Sequence, residues 1–257
     1  MSHDVKKYKI LKKIIGGLGY KLVDKNSIKS ERLINQKTYN VSDFLRKLFK
    51  ENKLKKVIQI GSNDGSSDDF LKKCINKNTS AILIEPIENA FIKLKKNYQD
   101  FEKIIFLNIA IDTENNKKEI FYVNERFYPY YEKKYKDKNV DWLNVLASFN
   151  KANLISHGIK KKHITSKKIE CKKISTLINL YKYEDLDLLL IDTEGYDAIL
   201  VDDFLSSTKL KPLIIFEWIH IEYKKLDQLL TKLKQMNYNI LKIDKDLICF
   251  QENSFTI

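Results

Sequence analysis

Short apolar runs alternate with amphipathic segments along most of the chain. The runs predicted to be strands cover residues 57–60, 81–84, 103–107, 186–191 and 213–218, with a further short strand at 120–123. Apolar residues recur at helical spacing in 41–49, 68–75, 89–98, 174–180 and 222–236, and another helix is predicted after residue 195. Strands that alternate with helices at this spacing indicate βαβ units, so we predict an α/β fold built on a parallel sheet.

The C-terminal part of the chain departs from this alternation. Two strand-like segments, 239–243 and 247–251, flank the short polar sequence Asp-Lys-Asp at 244–246. This pattern predicts a hairpin, whose two strands must be antiparallel. We therefore expect a mostly parallel sheet that ends in a C-terminal antiparallel hairpin, which is not the usual ending of a nicotinamide-binding Rossmann domain.

Two parts of the chain lack the alternation of strands and helices. We predict an N-terminal helical lead at 1–50 and a main domain at 51–257, interrupted by a cap-like insertion at about 124–165. In the first 25 residues, apolar side chains recur at helical spacing between lysines, which suits either a membrane-surface helix or a short helix packed on the domain. We favour the packed helix, because Gly16, Gly17 and Gly19 weaken a long helix, and expect at most a weak peripheral membrane contact.

The composition narrows the choice of partner and compartment. The net charge is +13, from 47 Lys and Arg against 34 Asp and Glu, but only Arg32, Arg46 and Arg126 are arginines. Nucleic-acid sites usually depend on the planar fork of arginine, so we expect no nucleic-acid partner. The three cysteines are widely spaced and form no CxxC pair, and no apolar run approaches the ~20 residues of a transmembrane helix. These features predict a cytoplasmic protein without disulfides.

The segment after the first predicted strand has the composition of a ligand-binding loop. It reads Gly61-Ser62-Asn63-Asp64-Gly65, and its glycines let the backbone turn sharply and approach a ligand closely. Glu85 follows the second strand, 24 residues after Gly61, where a carboxylate can accept both hydroxyls of a ribose. The GxGxxG fingerprint and the Walker lysine are both missing. S-adenosylmethionine is the better fit, since it carries a ribose and a carboxylate but no phosphate.

Five motifs in chain order resemble those of the FkbM-type methyltransferases. They are QIGSNDG at 59–65, IEP at 84–86, LNIA at 107–110, LAS at 146–148 and LIDTEGY at 190–196. The resemblance spans residues 55–250. It implies the class I methyltransferase fold, with a Rossmann-like sheet, and an S-adenosylmethionine-dependent O-methyltransferase that acts on a hydroxyl of a sugar, a polysaccharide or a related small molecule.

The resemblance also implies which positions contact the cofactor. In that family the glycine loop lines the methionine end, the acidic residue after the second strand holds the ribose, and residues after the third strand lie near the adenine. The cofactor-binding residues predicted in this way are Gly61, Ser62, Asn63, Asp64, Gly65, Glu85, Pro86, Asn108, Ala110 and Asp192. Family members often carry an acidic residue where this chain has Gln59, and we expect Asp64 to replace it in holding the cofactor's ammonium group.

The same resemblance places the loop Asp192-Thr193-Glu194-Gly195 opposite the methyl group that is transferred. Acidic residues at this point can alternatively cap the following helix. The predicted catalytic residues are His157, Asp192, Glu194 and His220, each a candidate general base for an acceptor hydroxyl. Asp192, Glu194 and Glu217 are oxygen donors of the kind that Mg²⁺ accepts, but no spacing requires a metal and we expect none.

Two other functions stay open at this stage. An RNA methyltransferase on the same fold would explain the positive charge but not the scarcity of arginine, and no NPPY-type base-binding motif follows the strand 186–191. A non-catalytic binding module is disfavoured by the presence of Gly61, Glu85 and the 192–195 loop. The expected partner is a small-molecule or glycan acceptor. Tyr128, Tyr130, Tyr131 and Trp142 of the insertion either offer flat faces to a sugar ring or pack the cap.

Overall fold

The computed structural model describes residues 41–66, 69, 71–135, 140–144 and 146–251. Its strands are β1 (Lys56–Ile60), β2 (Ser80–Ile84), β3 (Ile104–Leu107), β4 (Ala110–Ile111), β5 (Asn116–Val123), β6 (Ala147–Ser148), β7 (Ile164–Lys172), β8 (Leu188–Ile191), β9 (Leu213–Glu217), β10 (Tyr238–Ile243) and β11 (Asp246–Gln251). Its α-helices are α1 (Val41–Lys50), α2 (Glu88–Asn97), α3 (Tyr128–Tyr135), α4 (Lys151–Ser156), α5 (Ile174–Tyr181), α6 (Asp197–Ser207) and α7 (Tyr223–Gln235). Short 3₁₀ segments lie at Glu125–Phe127, Asp141–Asn144 and Lys161–His163.

Seven strands form the main sheet, in the spatial order β10-β11-β9-β8-β1-β2-β3. Neighbouring strands from β9 to β3 run parallel, whereas β11 is antiparallel to both β9 and β10. At the centre, Gln59 of β1 pairs with Leu83 of β2 on one side and with Leu190 of β8 on the other. The predicted parallel sheet with a C-terminal antiparallel hairpin is confirmed, and its predicted strand limits are within one or two residues of those observed.

Helices cover both faces of the main sheet. Ile58 and Ile60 point to the face covered by α5, α6 and α7, while Val57 points to the face covered by α1 and α2. β8 is buried at all four of its residues. A strand buried on both faces is a continuous apolar run, which explains why the sequence pattern identified these strands.

A second sheet has four strands in the order β4-β7-β5-β6. Its long antiparallel pair, β5 and β7, runs from Asn116 opposite Cys171 to Val123 opposite Ile164. The sequence analysis predicted only 120–123 as strand here, and it missed β7. The reason is that β7 buries only Ile169 and Cys171, so most of its side chains give no apolar signal. The segment between β5 and β7 corresponds to the predicted insertion; its role as a cap stays a prediction.

The predicted helix at 68–75 is wrong in the part that the structure describes. Residues 71–74 form a turn. The buried Asp69 accepts hydrogen bonds from the backbone amides of Leu71 (2.9 Å) and Lys72 (3.4 Å), and from the hydroxyl of Tyr98 (2.5 Å). These amide contacts have the pattern of a helix N-cap, but only one turn follows, in which the amides of Cys74 (2.8 Å) and Ile75 (3.0 Å) both donate to the carbonyl of Leu71.

The described part of the N-terminal lead is α1. Its apolar side chains Phe44, Leu45 and Leu48 are buried in the same cluster as Val57 and Leu83 of the sheet. Residues 1–40 lie outside the described residues, and with them the three glycines that favoured a packed helix over a membrane-surface helix. The domain limit at residue 50 stays a prediction. Among the described helices, none has the length and apolar character that a bilayer crossing needs.

Candidate active site

Four strand ends meet at one edge of the main sheet. Gly61 follows β1, Glu85 follows β2, Asp192 follows β8, and Glu217 is the last residue of β9. In open parallel sheets, ligands bind beyond the carboxyl ends of the strands at the point where the strand order reverses. Here that point lies between β1 and β8, so these four residues surround the expected site.

The loop after β1 is anchored to the neighbouring strands by its backbone and by Ser62. The hydroxyl of Ser62 donates to the carbonyl of Gln59 (3.2 Å) and accepts from the amide of Ile84 (3.1 Å). Gly61 adopts a left-handed φ of 77°, and an added Cβ would lie 1.8 Å from the carbonyl oxygen of Asp192. Glycine is therefore required at position 61 by both conformation and contact.

The remaining residues of that loop contact two different parts of the protein, the Glu85 carboxylate and helix α2. Asn63, also left-handed at φ 50°, donates its amide to Glu85, and its side-chain oxygen is buried without a hydrogen-bond partner in the described chain. Gly65, by contrast, packs on α2, where an added Cβ would lie 2.8 Å from side-chain atoms of Leu94 and Tyr98. Gly65 thus has a packing role that the sequence analysis did not predict.

Glu85 is a buried carboxylate held by two backbone amides. Its Oε1 accepts from Ile87 (2.7 Å) and its Oε2 from Asn63 (2.9 Å). Burial raises the pKa of Glu85 to about 7, with a smaller contribution in the same direction from Asp192, although the two amide hydrogen bonds oppose the shift. Each carboxylate oxygen has a second lone pair, so Glu85 can still accept two hydroxyl groups.

Asn108 connects the ends of β2 and β3 behind Glu85. Its side-chain amide donates to the carbonyl oxygens of Glu85 (2.8 Å) and Pro86 (3.2 Å). These contacts fix the backbone that carries the Glu85 carboxylate. Asn108 acts here as a positioning residue, while Ala110, at the start of β4, faces the cavity described next.

A cavity of about 80 Å³ lies at these strand ends and is called the strand-end cavity. The predicted site residues that line it are Gly61, Glu85, Pro86, Ala110, Asp192 and Glu194. Its opposite wall includes β6 and Phe149, whose ring meets Tyr196 edge-on at a centroid distance of 5.5 Å. Seven further predicted residues do not line it: Ser62, Asn63, Asp64, Gly65, Asn108, His157 and His220.

The loop after β8 is shaped by Asp197, a residue that the sequence analysis missed. This fully buried carboxylate accepts from the amide of Gly195 (3.1 Å) and from both the amide (3.3 Å) and the hydroxyl (3.0 Å) of Thr193. Burial and then the charge of Asp192 raise the pKa of Asp197 to about 8. The N-cap of α6 is Tyr196, which makes no capping hydrogen bond with its side chain, and Asp197, the first helical residue, binds the preceding loop instead of the helix amides.

Three predicted catalytic residues meet beside this loop, and they are called the His–Glu cluster: His157, Glu194 and His220. One side-chain ligand atom of each lies within 4.8 Å of those of the other two. His220 Nε2 is 3.5 Å from Glu194 Oε2 and equally 3.5 Å from Oε2 of the buried Glu217. Because Glu194 also lines the strand-end cavity, the cluster and the cavity form one continuous site.

Asn153 holds the cluster together from α4. Its side-chain amide donates to the backbone carbonyl of Glu194 (2.9 Å), and its own backbone carbonyl accepts from Nδ1 of His157 (2.8 Å). Burial raises the pKa of Glu194 to about 7, with further contributions from Asp192 and Glu217. A carboxyl group with this pKa exchanges a proton near neutral pH, as a general base must.

Lys245 supplies positive charge next to these acids. Its Nζ lies 3.2 Å from Oε1 of Glu217, and the turn between β10 and β11 carries it there. Burial lowers the pKa of Lys245, but Glu217 and Asp192 outweigh that effect and hold it above its usual value. The sequence analysis named Glu217 as a possible oxygen ligand at the end of an apolar strand, but it identified neither Lys245 nor Asn153.

Comparisons with known proteins identify one matching family and several structures of low similarity. The family described as "Methyltransferase FkbM domain" matches residues 59–240. A methyltransferase structure from Geobacter sulfurreducens is 9% identical, covers 95% of this chain and 88% of its own, and has a TM-score of 0.42. The precorrin-6y C5,15-methyltransferase of Geobacter metallireducens is 10% identical, with coverage of 88% and 93% and a TM-score of 0.39. With both TM-scores below 0.5, neither similarity bears on the activity of this chain.

The family match covers most of the chain and includes the whole candidate site. Comparison with curated proteins yields no significant match. The matched range contains Gly61, Glu85 and Asp192 as well as the His–Glu cluster. The observed sheet, parallel up to its C-terminal antiparallel hairpin, is the class I methyltransferase fold that the motifs predicted. The chain thus belongs to the FkbM methyltransferase family, as an S-adenosylmethionine-dependent methyltransferase.

Proposed function

We propose that this protein transfers a methyl group from S-adenosylmethionine to a hydroxyl oxygen of a sugar, a polysaccharide or a related small molecule. The observation that carries the proposal is the position of Glu194. Its side chain belongs to both the strand-end cavity and the His–Glu cluster. A proton acceptor therefore stands next to the place where the methyl donor is expected.

The residues at the strand ends fit S-adenosylmethionine. Glu85 has free lone pairs for the two ribose hydroxyls, and the buried Asn63 side-chain oxygen needs a donor such as the cofactor's ammonium group. Gly61 leaves room for a close backbone approach. The strand-end cavity of about 80 Å³ is smaller than the several hundred Å³ of most cofactor pockets, so we expect the wall at 147–149 to move outward on binding.

The bound cofactor would supply an electrophilic methyl group: its C–S bond breaks as the new C–O bond forms, and the acceptor's proton passes to the protein. A sugar hydroxyl is too weak an acid to ionise in advance, so a general base must take the proton as the bond forms. Glu194, with a pKa of about 7, is a stronger base than an ordinary carboxylate. His220 and His157 lie next to it and are the other candidates in this cluster.

A second cavity supports a sugar as the acceptor. It has a volume of about 300 Å³, lies between α2 and the second sheet, and is called the α2 cavity. Tyr122 and Tyr128 offer aromatic faces in its lining, and Asn89 and Asn124 offer amides, the combination that binds sugar rings and their hydroxyls. Tyr131, also predicted as a possible sugar platform, is instead buried, where its hydroxyl binds the amide of Lys160 and His163 Nδ1.

The proposal is tested by incubating the purified protein with methyl-labelled S-adenosylmethionine and separate pools of sugars, polysaccharides and RNA. We expect label on a carbohydrate oxygen, and Glu194→Gln should reduce it strongly. The exposed Glu222→Gln provides the matched control, since the same chemical change is made outside the site. Label on RNA alone would favour an RNA methyltransferase, and binding without transfer to any pool would favour a binding module.

We also propose a cytoplasmic location. Cys74, Cys171 and Cys249 are all buried and unpaired. Free thiols of this kind persist in reducing compartments.

A further inference from the structure

The His–Glu cluster has the geometry of a metal site. Its three ligand atoms come from separate parts of the chain: the end of α4, the loop after β8, and the segment between β9 and α7. In a tetrahedral site with bonds of about 2.1 Å, two ligand atoms lie about 3.4 Å apart. The 3.5 Å between His220 Nε2 and Glu194 Oε2 already matches this spacing, and the largest separation, under 4.8 Å, needs a side-chain adjustment of only about an ångström.

The hydrogen bonds of His157 orient it as a ligand. Its Nδ1 lies 2.8 Å from the carbonyl oxygen of Asn153, so Nδ1 carries the proton and Nε2 carries the lone pair. Histidines that bind metals usually donate their other ring N–H to a carbonyl or carboxylate in this way. Asn153 additionally fixes the loop of Glu194 by donating to its backbone carbonyl (2.9 Å). One residue therefore positions two of the three ligands.

The buried side chain of Glu217 gives a second, independent indication that a cation binds next to this cluster. This side chain is only 5% exposed, and its Oε2 has no hydrogen-bond partner in the described chain. Burying a carboxylate oxygen without a partner is costly, and a cation would remove that cost. Oε2 lies 3.5 Å from Nε2 of His220, a member of the cluster, while Oε1 pairs with Lys245.

We propose that His157, Glu194 and His220 bind a divalent transition-metal cation, with the buried Glu217 beside the ligand His220. Two imidazole nitrogens with carboxylate oxygens favour Zn²⁺, Mn²⁺, Fe²⁺ or Co²⁺ over Mg²⁺ and Ca²⁺, which prefer oxygen ligands throughout. This replaces our expectation, drawn from sequence spacing alone, that no metal is bound. The first and last ligands, His157 and His220, are 63 residues apart in the sequence, so no local motif predicts the site.

The role of this metal site in catalysis rests on the proposed function, whereas metal binding itself does not. An acceptor hydroxyl that joins the metal as a further ligand would become more acidic, because the cation stabilises the alkoxide. Glu194 and the two histidines would then be ligands, and Asp192, which lines the adjoining cavity, would replace Glu194 as the group that receives the proton. Metal binding itself requires neither cofactor nor acceptor.

The test measures metal binding to the chelator-treated full-length protein without cofactor or acceptor. Calorimetry should show one equivalent of Zn²⁺ bound, with Mg²⁺ much weaker, and Co²⁺ should give the intense visible absorption of a four-coordinate site. His157→Ala and His220→Ala should each weaken Zn²⁺ binding at least tenfold, and Asn153→Ala by about 10–100-fold as a positioning residue. Glu222→Gln should bind Zn²⁺ like the unmodified protein.

The proposal is overturned if the unmodified protein binds no Zn²⁺, or if folded His157→Ala and His220→Ala variants bind it as tightly as the unmodified protein. The Co²⁺ spectrum of the unmodified chain needs no variant, so it decides the matter even if a substitution unfolds the protein. Zn²⁺ binding without methyl transfer would retain the metal site and contradict the proposed function. Methyl transfer by a metal-free protein would retain the proposed function and contradict the part given to the metal in it.

Discussion

Gly61 and Asp192 touch across the centre of the main sheet, with the Cα of Gly61 directly against the backbone carbonyl oxygen of Asp192. The contact joins the loop expected to hold the cofactor to the loop that carries Glu194. Any side chain at position 61 would push these two loops apart. The distance between the expected methyl donor and the proposed proton acceptor therefore depends on the absence of a side chain at position 61.

Gly61→Ala should both destabilise the protein and impair cofactor binding. An added Cβ would lie 1.8 Å from backbone atoms that cannot move independently, and such overpacking costs about 1–3 kcal/mol, with about 1–2 kcal/mol more for the left-handed conformation. Urea denaturation measures the loss. Gly158→Ala is the control, because its φ is also positive but its nearest neighbour is a side-chain hydroxyl at 3.3 Å. Equal losses in the two variants would contradict the role of the Gly61 contact.

Glu85→Ala should weaken S-adenosylmethionine binding by about 1.5–3 kcal/mol, since two charge-assisted hydrogen bonds to the ribose are lost. Glu85→Gln, which keeps the size and one acceptor, should lose less. Because the pKa of Glu85 is about 7, cofactor affinity of the unmodified protein should rise as the pH increases through 7. Calorimetry measures all three, with the exposed Glu102→Ala as control. An unchanged affinity in folded Glu85→Ala, or tight binding of NAD, would remove the ribose assignment.

Asp192→Asn, Glu194→Gln and His157→Ala should separate the candidate bases. Loss of the general base should slow methyl transfer by about 10²–10⁴-fold while cofactor affinity changes little, because the lost interaction exists mainly in the transition state. Single-turnover transfer measures the rate. If Glu194 is the base, the rate should also rise with pH through about 7, and Glu194→Gln should abolish that rise. Rates close to that of the unmodified enzyme in all three would place the base elsewhere.

The stability of the free protein should fall as the pH rises from about 4.5 to 8. Burial is the main cause that raises the pKa values of Glu85, Glu194 and Asp246 to about 7 and of Asp197 to about 8. The native state then binds more protons than the unfolded state across this interval, so protonation favours folding and the benefit is lost as these groups ionise. Urea denaturation at about pH 5.5 and 8.5 measures the difference. Glu194→Gln should reduce the fall, and a rise in stability would contradict the assignment.

RNA should bind weakly and only through generic charge. The affinity should drop steeply between about 50 and 200 mM salt, as expected for lysine contacts to phosphates, and should not depend on sequence. Fluorescence anisotropy with two unrelated RNA oligonucleotides tests this. A salt-resistant complex with one of them would support the RNA methyltransferase alternative.

The sequence predicted the main sheet well because its strands are buried on both faces. β8 and β9 are apolar at nearly every position, which leaves little ambiguity about their limits. The second sheet was missed in large part because β7 exposes polar side chains and depends on its pairing with β5. Residues 71–74 show the opposite error, because apolar residues at helical spacing form only a turn there.

The residues of the candidate site that follow strand ends could be predicted from the sequence. The residues that reach the site through the packing of distant segments could not. Glu85, Asp192 and Glu194 follow directly after buried strands, so the fold class alone brings them together. His157 was chosen as a candidate, but its approach to His220, at a ring-centroid distance of 5.5 Å, is a result of how α4 packs. Asn153 and Lys245 take their roles from contacts with distant parts of the chain, to Glu194 and Glu217, and local spacing does not predict such contacts.

The segment between β5 and β7 has a hydrophobic cluster of its own, which contains Tyr131, Leu143 and Leu154 and is separate from the two clusters of the main sheet. α4 belongs to that segment, and through Asn153 it presents His157 to the rest of the site. A unit with its own core can open while the remainder of the protein stays folded. Heat would then inactivate this enzyme reversibly at temperatures below its global melting transition, because detachment of α4 removes the candidate residue His157 from the site and leaves the strand-end residues in place.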